Sequence, residues 1–288
     1  MLASSLAIAV CLLGADPSQL DAPFTGIMVV DLDFARTLLD PSVNRIPASA
    51  KGVMAIEVAD YSPAHKKLNE LSIIQSVNGK KVKTVSEYDE QLKGMKIGDE
   101  IKLEGYGRRQ LPGSDRYVWS AKGSAKIVPV SKRDFLDNSA DLVFDEFTKQ
   151  TWRTHKSDPG RYQDSIDLYF QEVGGEADNL ILRVSYRADE WIFMEKVSLK
   201  IGDRVSVITE DTVRFETEVV TDGRGVAEWV HIPVKKDLYK TLRDMGSAFS
   251  GRIRRQGRTK LSDRDITYQE LSRLRTMLDL YEAKGGTP

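Results

Sequence analysis

One stretch of the sequence decides the fold of the first half of the chain. It runs Gly52-Val-Met-Ala-Ile-Glu-Val-Ala-Asp-Tyr-Ser62-Pro63-Ala64, continues as Ile73-Ile-Gln-Ser-Val77-Asn78-Gly79-Lys-Lys-Val82 and Ser86-Glu-Tyr-Asp-Glu-Gln-Leu92, and ends with Lys96-Ile-Gly98-Asp99-Glu-Ile101-Lys-Leu103. Runs of β-branched and apolar residues bounded by turn residues predict strands at 52–58, 73–77 and 100–105. The pair Asn78-Gly79 predicts a tight turn, because both residues tolerate a positive φ.

A helix is predicted between the second and third of these strands. Thr84 and Glu87 have the spacing of a capping box, in which a hydroxyl and a carboxylate satisfy free backbone N–H groups. Val85, Tyr88 and Leu92 recur at spacings of three and four residues and form an apolar stripe. Outside the stretch, the same signals predict strands at 24–30 and 117–128, and short helical segments at 34–39 and 64–68.

The order of these elements resembles that of a known family. Strand, Ser-Pro-Ala turn, strand ending in Val-Asn-Gly, helix and Gly-Asp-led strand are similar to the PDZ modules of exported bacterial proteases of the high-temperature-requirement type. The resemblance covers residues 22–130 and includes no protease domain. It implies an α+β fold in which a PDZ-like β-barrel or sandwich carries two helices.

The sequence pattern of residues 133–288 predicts a second domain. Leu180, Leu182, Val184 and Tyr186 alternate with polar residues, and this period of two is typical of half-buried strands in an antiparallel sheet. Helices are predicted at 235–245 and at 268–283, the second opened by a capping box and ended by Gly285-Gly286. The expected domain is therefore an antiparallel α+β unit with a C-terminal helix and unknown function.

The PDZ resemblance implies a peptide-binding groove. In such domains a ligand adds a strand to a sheet edge beside a helix, and backbone N–H groups of a glycine-containing loop hold its terminal carboxylate. The residues that match the loop, the edge strand and the facing helix are Phe24, Thr25, Gly26, Ile27, Val29, Val85, Asp89 and Leu92. An apolar pocket would favour a hydrophobic C-terminal residue, and Asp89 a basic or hydroxyl-bearing residue two positions earlier.

Composition narrows the classes of function. The chain has 42 basic and 43 acidic residues, so it has no global field that would attract nucleic acid. The basic run at 251–260 is predicted to be a strand with a solvated face, balanced by Asp263 and Asp265. His65 and His155 are predicted to be solvated and His231 to lie at a surface or rim. No histidines have metal-ligand spacing, and no serine-protease loop occurs, so the sequence implies no metal, cofactor or catalytic residue.

The N-terminal segment is apolar from Leu2 to Gly14. Thirteen residues are too few for a membrane span, which needs about 20. The run matches the apolar core of a signal peptide, and we expect residues 1–15 to be removed on export to the periplasm or the extracellular space. The alternatives are lipidation at Cys11 and a buried N-terminal helix.

The sequence thus favours a non-catalytic protein that recognises peptide or protein C-termini, or extended peptides, by β-strand addition. One alternative is an accessory or regulatory subunit of an exported protease, with catalysis supplied by another chain. The other is a structural protein whose groove is closed by its own residues 31–50. An open groove between the edge strand and the facing helix would separate the first interpretation from the last.

Overall fold

The computed structural model describes residues 19–42, 44, 46–209, 215–219, 225–248, 250–258 and 260–288, with the side chains of 120, 121 and 217–219 left out. The predicted signal peptide at residues 1–15 lies outside the described residues. The fold is mixed α+β, with mostly antiparallel sheets and, in the described part, five helices. The chain divides into two compact units, with the boundary between Ser139 and Ala140.

The first unit contains eight described strands and three helices. In chain order they are β1 (Pro23–Phe24), β2 (Ile27–Asp31), α1 (Leu32–Leu38), β3 (Val53–Val58), β4 (Ser72–Val77), β5 (Lys80–Lys81), α2 (Val85–Leu92), β6 (Ile101–Gln110), β7 (Tyr117–Ile127), β8 (Val130–Ser131) and α3 (Lys132–Ser139). The main sheet has the order β2-β3-β4-β6-β7, with β5 paired to β4, while β1 pairs with β8.

The sheet of the first unit does not close on itself. Strands β2 and β7 lie at opposite ends of the strand order and do not pair, so the predicted barrel form is wrong for the described strands. Alternate residues of the inner strands, including Val53, Ile74 and Leu103, pack into one buried core with Tyr88 of α2. An open sheet leaves β2 as an edge strand, which a closed barrel would have eliminated.

Local signals predicted several turns and caps correctly. Asn78 and Gly79 both have positive φ, 49° and 79°, and join β4 to β5 as a tight turn. The Thr84 hydroxyl accepts the N–H of Glu87, as expected for the start of α2. The Glu87 carboxylate, however, accepts the N–H of Lys83 at 2.7 Å, one residue upstream of the position in a complete capping box.

Two local predictions in this unit were wrong. Residues 64–68 form turns instead of a short helix, and Lys66 has a φ of 62°, which no α-helix accommodates. Helix α3 occupies a segment that the sequence indicated only as a boundary. Its N-terminus is capped by the Ser131 hydroxyl, which accepts the N–H of Asp134 at 2.9 Å, and its Phe135 and Leu136 are buried.

The second unit contains ten described strands and two helices. They are β9 (Ala140–Asp145), β10 (Gln150–His155), β11 (Ser165–Val173), β12 (Glu176–Ala188), β13 (Met194–Ile201), β14 (Arg204–Thr209), β15 (Phe215–Val219), β16 (Val226–Pro233), α4 (Lys236–Ala248), β17 (Arg252–Gly257), β18 (Leu261–Asp265) and α5 (Tyr268–Ala283). One sheet has the order β15-β16-β12-β11-β10-β9 and the other β14-β13-β17-β18.

The predicted antiparallel sheet and C-terminal helix are both present in this unit. Leu180, Leu182 and Val184 are buried along β12, as their period of two predicts. Helix α5 begins at Tyr268 and ends at Ala283, and its capping box is complete. The pair Asp222-Gly223, whose residue types predict a hairpin turn, lies outside the described residues. No described helix is long and apolar enough to cross a membrane.

Candidate functional site

The edge of the first unit's sheet lies beside a helix. Strand β2 pairs with β3 along one side, and no described strand pairs with its other side. Helix α2 packs against β2, since half-buried residues of both elements contact the same core. The backbone N–H and C=O groups on the free side of β2 are therefore available to an added strand.

Four of the five apolar residues predicted at the groove pack against the same core. Ile27 and Val29 of β2 and Val85 and Leu92 of α2 are each half-buried and pack on the core. Tyr88, on the same helix, is 2% exposed and belongs to the core itself. The helix thus turns Tyr88 inward while Val85 and Leu92 remain partly accessible next to the edge strand.

One carboxylate joins β2 to α2 by a hydrogen bond at the far end of this surface. Asp31, the last residue of β2, accepts the N–H of Val85 at the start of α2 at 2.8 Å. The accessible edge therefore extends from Ile27 to Asp31, about 13 Å at the usual rise of a strand. That length accommodates four or five residues of an extended peptide.

The loop before β2 is held by backbone hydrogen bonds on both sides of its glycine. The carbonyl of Thr25 accepts the N–H of Ala64 at 3.2 Å, and the carbonyl of Gly26 accepts the N–H of Ala59 at 2.8 Å. Gly26 has a φ of +75°, which favours glycine. The Thr25 hydroxyl also accepts the N–H of Ile27 in a long hydrogen bond of 3.4 Å. The loop is preorganised by contacts with the 59–64 turn.

Phe24 has a different surrounding from the other predicted groove residues. Its ring centroid lies 4.5 Å from that of Phe135 in α3, and β1, to which it belongs, pairs with β8. The side chain of Phe24 therefore anchors the start of the loop to α3. The predicted residues that pack together on the core beside β2 and α2 are Ile27, Val29, Val85 and Leu92.

Asp89 lies on the exposed side of α2, one turn after Val85. Partial burial raises the pKa of Asp89 above its usual value, although the nearby Lys93 opposes this shift. Its carboxylate is the acidic group that a ligand side chain next to α2 would meet, because residues four apart lie on one helix face. The position is suited to selecting a cationic or hydroxyl-bearing ligand residue.

Two hydroxyls beneath the loop make no well-formed hydrogen bond among the described residues. The Ser62 hydroxyl is buried directly under Gly26, and the Tyr88 hydroxyl is buried close to Thr25. Burial raises the pKa of Tyr88. Neither hydroxyl reaches solvent, so both belong to the support of the loop and not to its ligand-facing side.

The second unit contains an ion-pair network that sequence patterns did not reveal. The Arg183 guanidinium lies between Asp158 and Asp167, and the Arg273 Nε donates to Asp167 at 2.7 Å. Asp167 is 2% exposed, so its charge depends on these two arginines. The contacts join β12, β11 and α5, and we assign them to the stability of the unit.

One prediction about this unit's charged residues was wrong, whereas the strand with a solvated basic face predicted in the run at 251–260 is present, with Arg252 and Arg254 exposed. His155 is 4% exposed instead of solvated, and its Nδ1 accepts the N–H of Ser157 at 3.2 Å. Arg255, within the basic run, is completely buried and paired with Asp164. The remaining prediction for that run is confirmed, because Asp263 and Asp265 pair with arginines of the neighbouring strand.

His231 is half-buried and forms a pair with an aromatic hydroxyl. Its Nδ1 lies 2.8 Å from the hydroxyl of Tyr169, and burial lowers the pKa of His231. Trp152 stacks edge-on against Tyr169 at 5.3 Å between ring centroids. Within the described residues, no group of three or more histidine, cysteine or acidic side chains is arranged to hold a metal ion.

Comparison with known proteins gives no family for this chain: no protein-family model matches it, and no curated protein matches it significantly.

Proposed function

We propose that the first unit binds an extended peptide segment, preferably a protein C-terminus, as an added strand on β2. The observation that carries this proposal is the free edge of β2 facing α2 across Ile27, Val29, Val85 and Leu92. Main-chain hydrogen bonds along the edge would supply affinity, and the apolar surface would receive alternate ligand side chains. The role is non-catalytic, and the apolar N-terminal run supports a protein that acts after export.

The placement of Asn44 supports an open groove. Asn44 forms a bridge with Tyr117 of β7, at the opposite end of the sheet from β2, and accepts a hydrogen bond from Arg108 at 2.6 Å. Asn44 therefore lies away from the edge where the ligand would lie. The placement favours peptide binding over the structural alternative in which residues 31–50 close the groove.

The first test measures peptide binding and its specificity. We expect residues 16–288 to select, from a library of free C-terminal peptides, those with an apolar last residue and a basic residue two positions earlier. Asp89→Lys should shift that second preference to acidic residues, with about a tenfold loss for the original ligand. Fluorescence anisotropy with labelled peptides, in carboxylate and amide forms, measures both effects.

Glu90→Lys is the matched control for this experiment. It makes the same charge change at the next exposed position of α2, where Glu90 pairs with Lys93. We expect it to leave the ligand preference unchanged. Failure of every peptide to bind, or an equal loss for both variants, would contradict recognition at this groove.

A pH titration provides an independent check of Asp89. A cationic ligand residue requires the ionised carboxylate, so its affinity should be lost as the pH falls through the pKa of Asp89. Because burial raises that pKa, the loss should begin at a higher pH than for a free aspartate. Asp89→Asn should remove this pH dependence and leave only the titration of the ligand's own terminal carboxylate, and a peptide with a hydroxyl at the same position should show less of it. An unchanged profile in Asp89→Asn would exclude this carboxylate as the titrating group.

A further inference from the structure

A second concave surface lies on the first unit, away from the groove. It is a pocket of about 730 Å³ where β4, β5, β6 and β7 meet the segment before α2. It is lined by Lys51, Gln75, Ser76, Gly79, Lys81, Val82, Lys83, Glu104, Gly105, Lys122, Gly123 and Ser124. None of the residues assigned to the peptide groove is among them. The volume is in the range of small-molecule sites.

The pocket lining is strongly basic. Lys51, Lys81, Lys83 and Lys122 all line it, and among the described residues none of these four has a carboxylate partner. Four like charges around one concavity repel one another unless an anion lies between them. Such a site is therefore electrostatically complementary to a multivalent anion.

The one carboxylate among the described lining residues is already neutralised. Glu104 pairs with the Lys102 ammonium at 2.6 Å and accepts a hydrogen bond from the Ser76 hydroxyl at 3.0 Å. These two contacts lower the pKa of Glu104, so the pair remains formed at neutral pH. Glu104 consequently does not cancel the charge of the four lysines.

The uncharged part of the lining indicates the kind of anion. Ser124 offers a hydroxyl and Gln75 one amide N–H, while the Ser76 hydroxyl is already donated to Glu104. The ammonium groups of lysines are common ligands of phosphate. The described lining includes no aromatic side chain on which a nucleobase could stack. Chemistry of this type fits a compact anion with several phosphate groups and no base.

One of the residues that line the pocket is a glycine in a regular strand. Gly123 pairs with Gly105 in the β6–β7 ladder, and a Cβ built on Gly123 meets no heavy atom within 4 Å. Its backbone has no positive φ that would require glycine. A side chain at this position would therefore extend from the pocket lining without straining the strand.

We propose that this pocket, held by Lys51, Lys81, Lys83 and Lys122, binds a compact polyphosphorylated anion without an aromatic base. The site is independent of the peptide groove, since the two surfaces share no residue. Its ligand would be a free polyphosphate or the phosphorylated headgroup of a lipid. The lysines would recognise the phosphate groups of either ligand in the same way.

Calorimetric titration of residues 16–288 tests the proposal. The probes are inorganic tripolyphosphate, inositol hexakisphosphate, ATP and sulfate, at fixed ionic strength. We expect tripolyphosphate and inositol hexakisphosphate to bind. ATP should gain no affinity from its base, and sulfate should bind much more weakly. Sedimentation with phosphatidylcholine vesicles, with and without phosphatidic acid, shows whether a lipid headgroup is also accepted.

Three variants locate the binding. Gly123→Tyr should reduce tripolyphosphate affinity at least about tenfold by filling the pocket, and Lys81→Glu should do so by charge reversal. Lys67→Glu makes the same charge change at an exposed lysine that does not line the pocket, and it should change affinity less than about twofold. Peptide binding should remain unchanged in all three, with circular dichroism as the check of folding.

The outcomes separate this site from a general attraction to polyanions. Loss in Gly123→Tyr and Lys81→Glu with a normal Lys67→Glu supports the pocket. Equal losses in Lys67→Glu and Lys81→Glu, an unaffected Gly123→Tyr, or no binding of either polyphosphate by the wild-type chain would overturn the proposal. None of these results bears on recognition at β2.

Discussion

Replacing Glu228 by alanine is expected to lower the free energy of unfolding of the second unit by about 4 kcal/mol. The side chain is completely buried. Its Oε1 accepts the N–H groups of Ile192 and Phe193 at 2.7 and 3.1 Å, and its Oε2 accepts the N–H of Met194 at 2.6 Å. Three backbone donors, of which those of Ile192 and Met194 are buried, would lose their acceptor together.

The local backbone explains why one carboxylate serves three donors. Phe193 has a φ of 53°, so successive N–H groups around it point to one side and form an anion-binding nest. Glu228 fills this nest from β16, more than 30 residues along the chain. Ile192 and Met194 on either side of the nest are buried, whereas the side chain of Phe193 is exposed.

Urea unfolding followed by tryptophan fluorescence measures the loss. Glu228→Gln should show an intermediate effect, since its amide retains one acceptor oxygen but turns an NH2 group toward a donor. Glu195→Ala is the matched control, because Glu195 follows Met194 directly but is 39% exposed and pairs with Arg258 at the surface. We expect it to change stability by less than about 0.5 kcal/mol. Equal effects at 228 and 195 would refute the account of the nest.

Local sequence signals predicted the turns and helix starts that depend on residues no more than four positions apart. The capping box at Thr267 fixed the start of α5, and Asn78-Gly79 fixed the turn between β4 and β5. The helix expected at 64–68 is absent, because the residue types of this segment gave no sign of the positive φ at Lys66. Tertiary contacts of Ala64 override the weak local preference there.

Buried charges could not be predicted in this way. Asp167 and Arg273 lie 106 positions apart, and Arg255 and Asp164 lie 91 apart. A charged residue in a strand is ordinarily assigned to the solvated face, and only the tertiary pairing shows that a partner is buried with it. Strand periodicity indicates the apolar face but contains no signal for such partners.

The candidate groove could be predicted only in part from the sequence. The spacing of Val85 and Asp89 placed both on one helix face, but the neighbourhood of β2 and α2 came from the resemblance to PDZ modules. The hydrogen bond between Asp31 and Val85, 54 positions apart, has no local signature. The basic pocket was also missed, since Lys51, Lys81 and Lys122 come from separate strands or loops and form no charged run in the sequence.

Replacing Gly26 by alanine is expected to destabilise the first unit by about 3 kcal/mol and to abolish peptide binding. Gly26 has a φ of +75°, and a Cβ there would lie 2.0 Å from the Cβ of Ser62. The loop must therefore move away from the 59–64 turn, which breaks the hydrogen bond to Ala59. The N–H groups that would hold a ligand carboxylate move with it.

Gly113→Ala separates the energy of the steric contact with Ser62 from the energy of the left-handed backbone conformation. Gly113 has a similar φ of +71°, but a Cβ there meets no heavy atom within 4 Å. Alanine at 113 should therefore cost only about 1 kcal/mol, the price of the left-handed conformation. The difference between the two variants, measured by urea unfolding, gives the energy of the contact with Ser62.

A double-mutant cycle with Ser62→Gly completes the argument. Removing the Ser62 side chain takes away the atoms that an alanine at 26 would meet, so the double variant should be more stable than additivity predicts by about 1 kcal/mol or more. If the loop then returns to its position, peptide binding should recover in part, because the positive φ at residue 26 is retained. Additive effects would show that the strain arises from the backbone alone. Recovered stability without recovered binding would separate the loop's contribution to folding from the proposed contribution to carboxylate recognition.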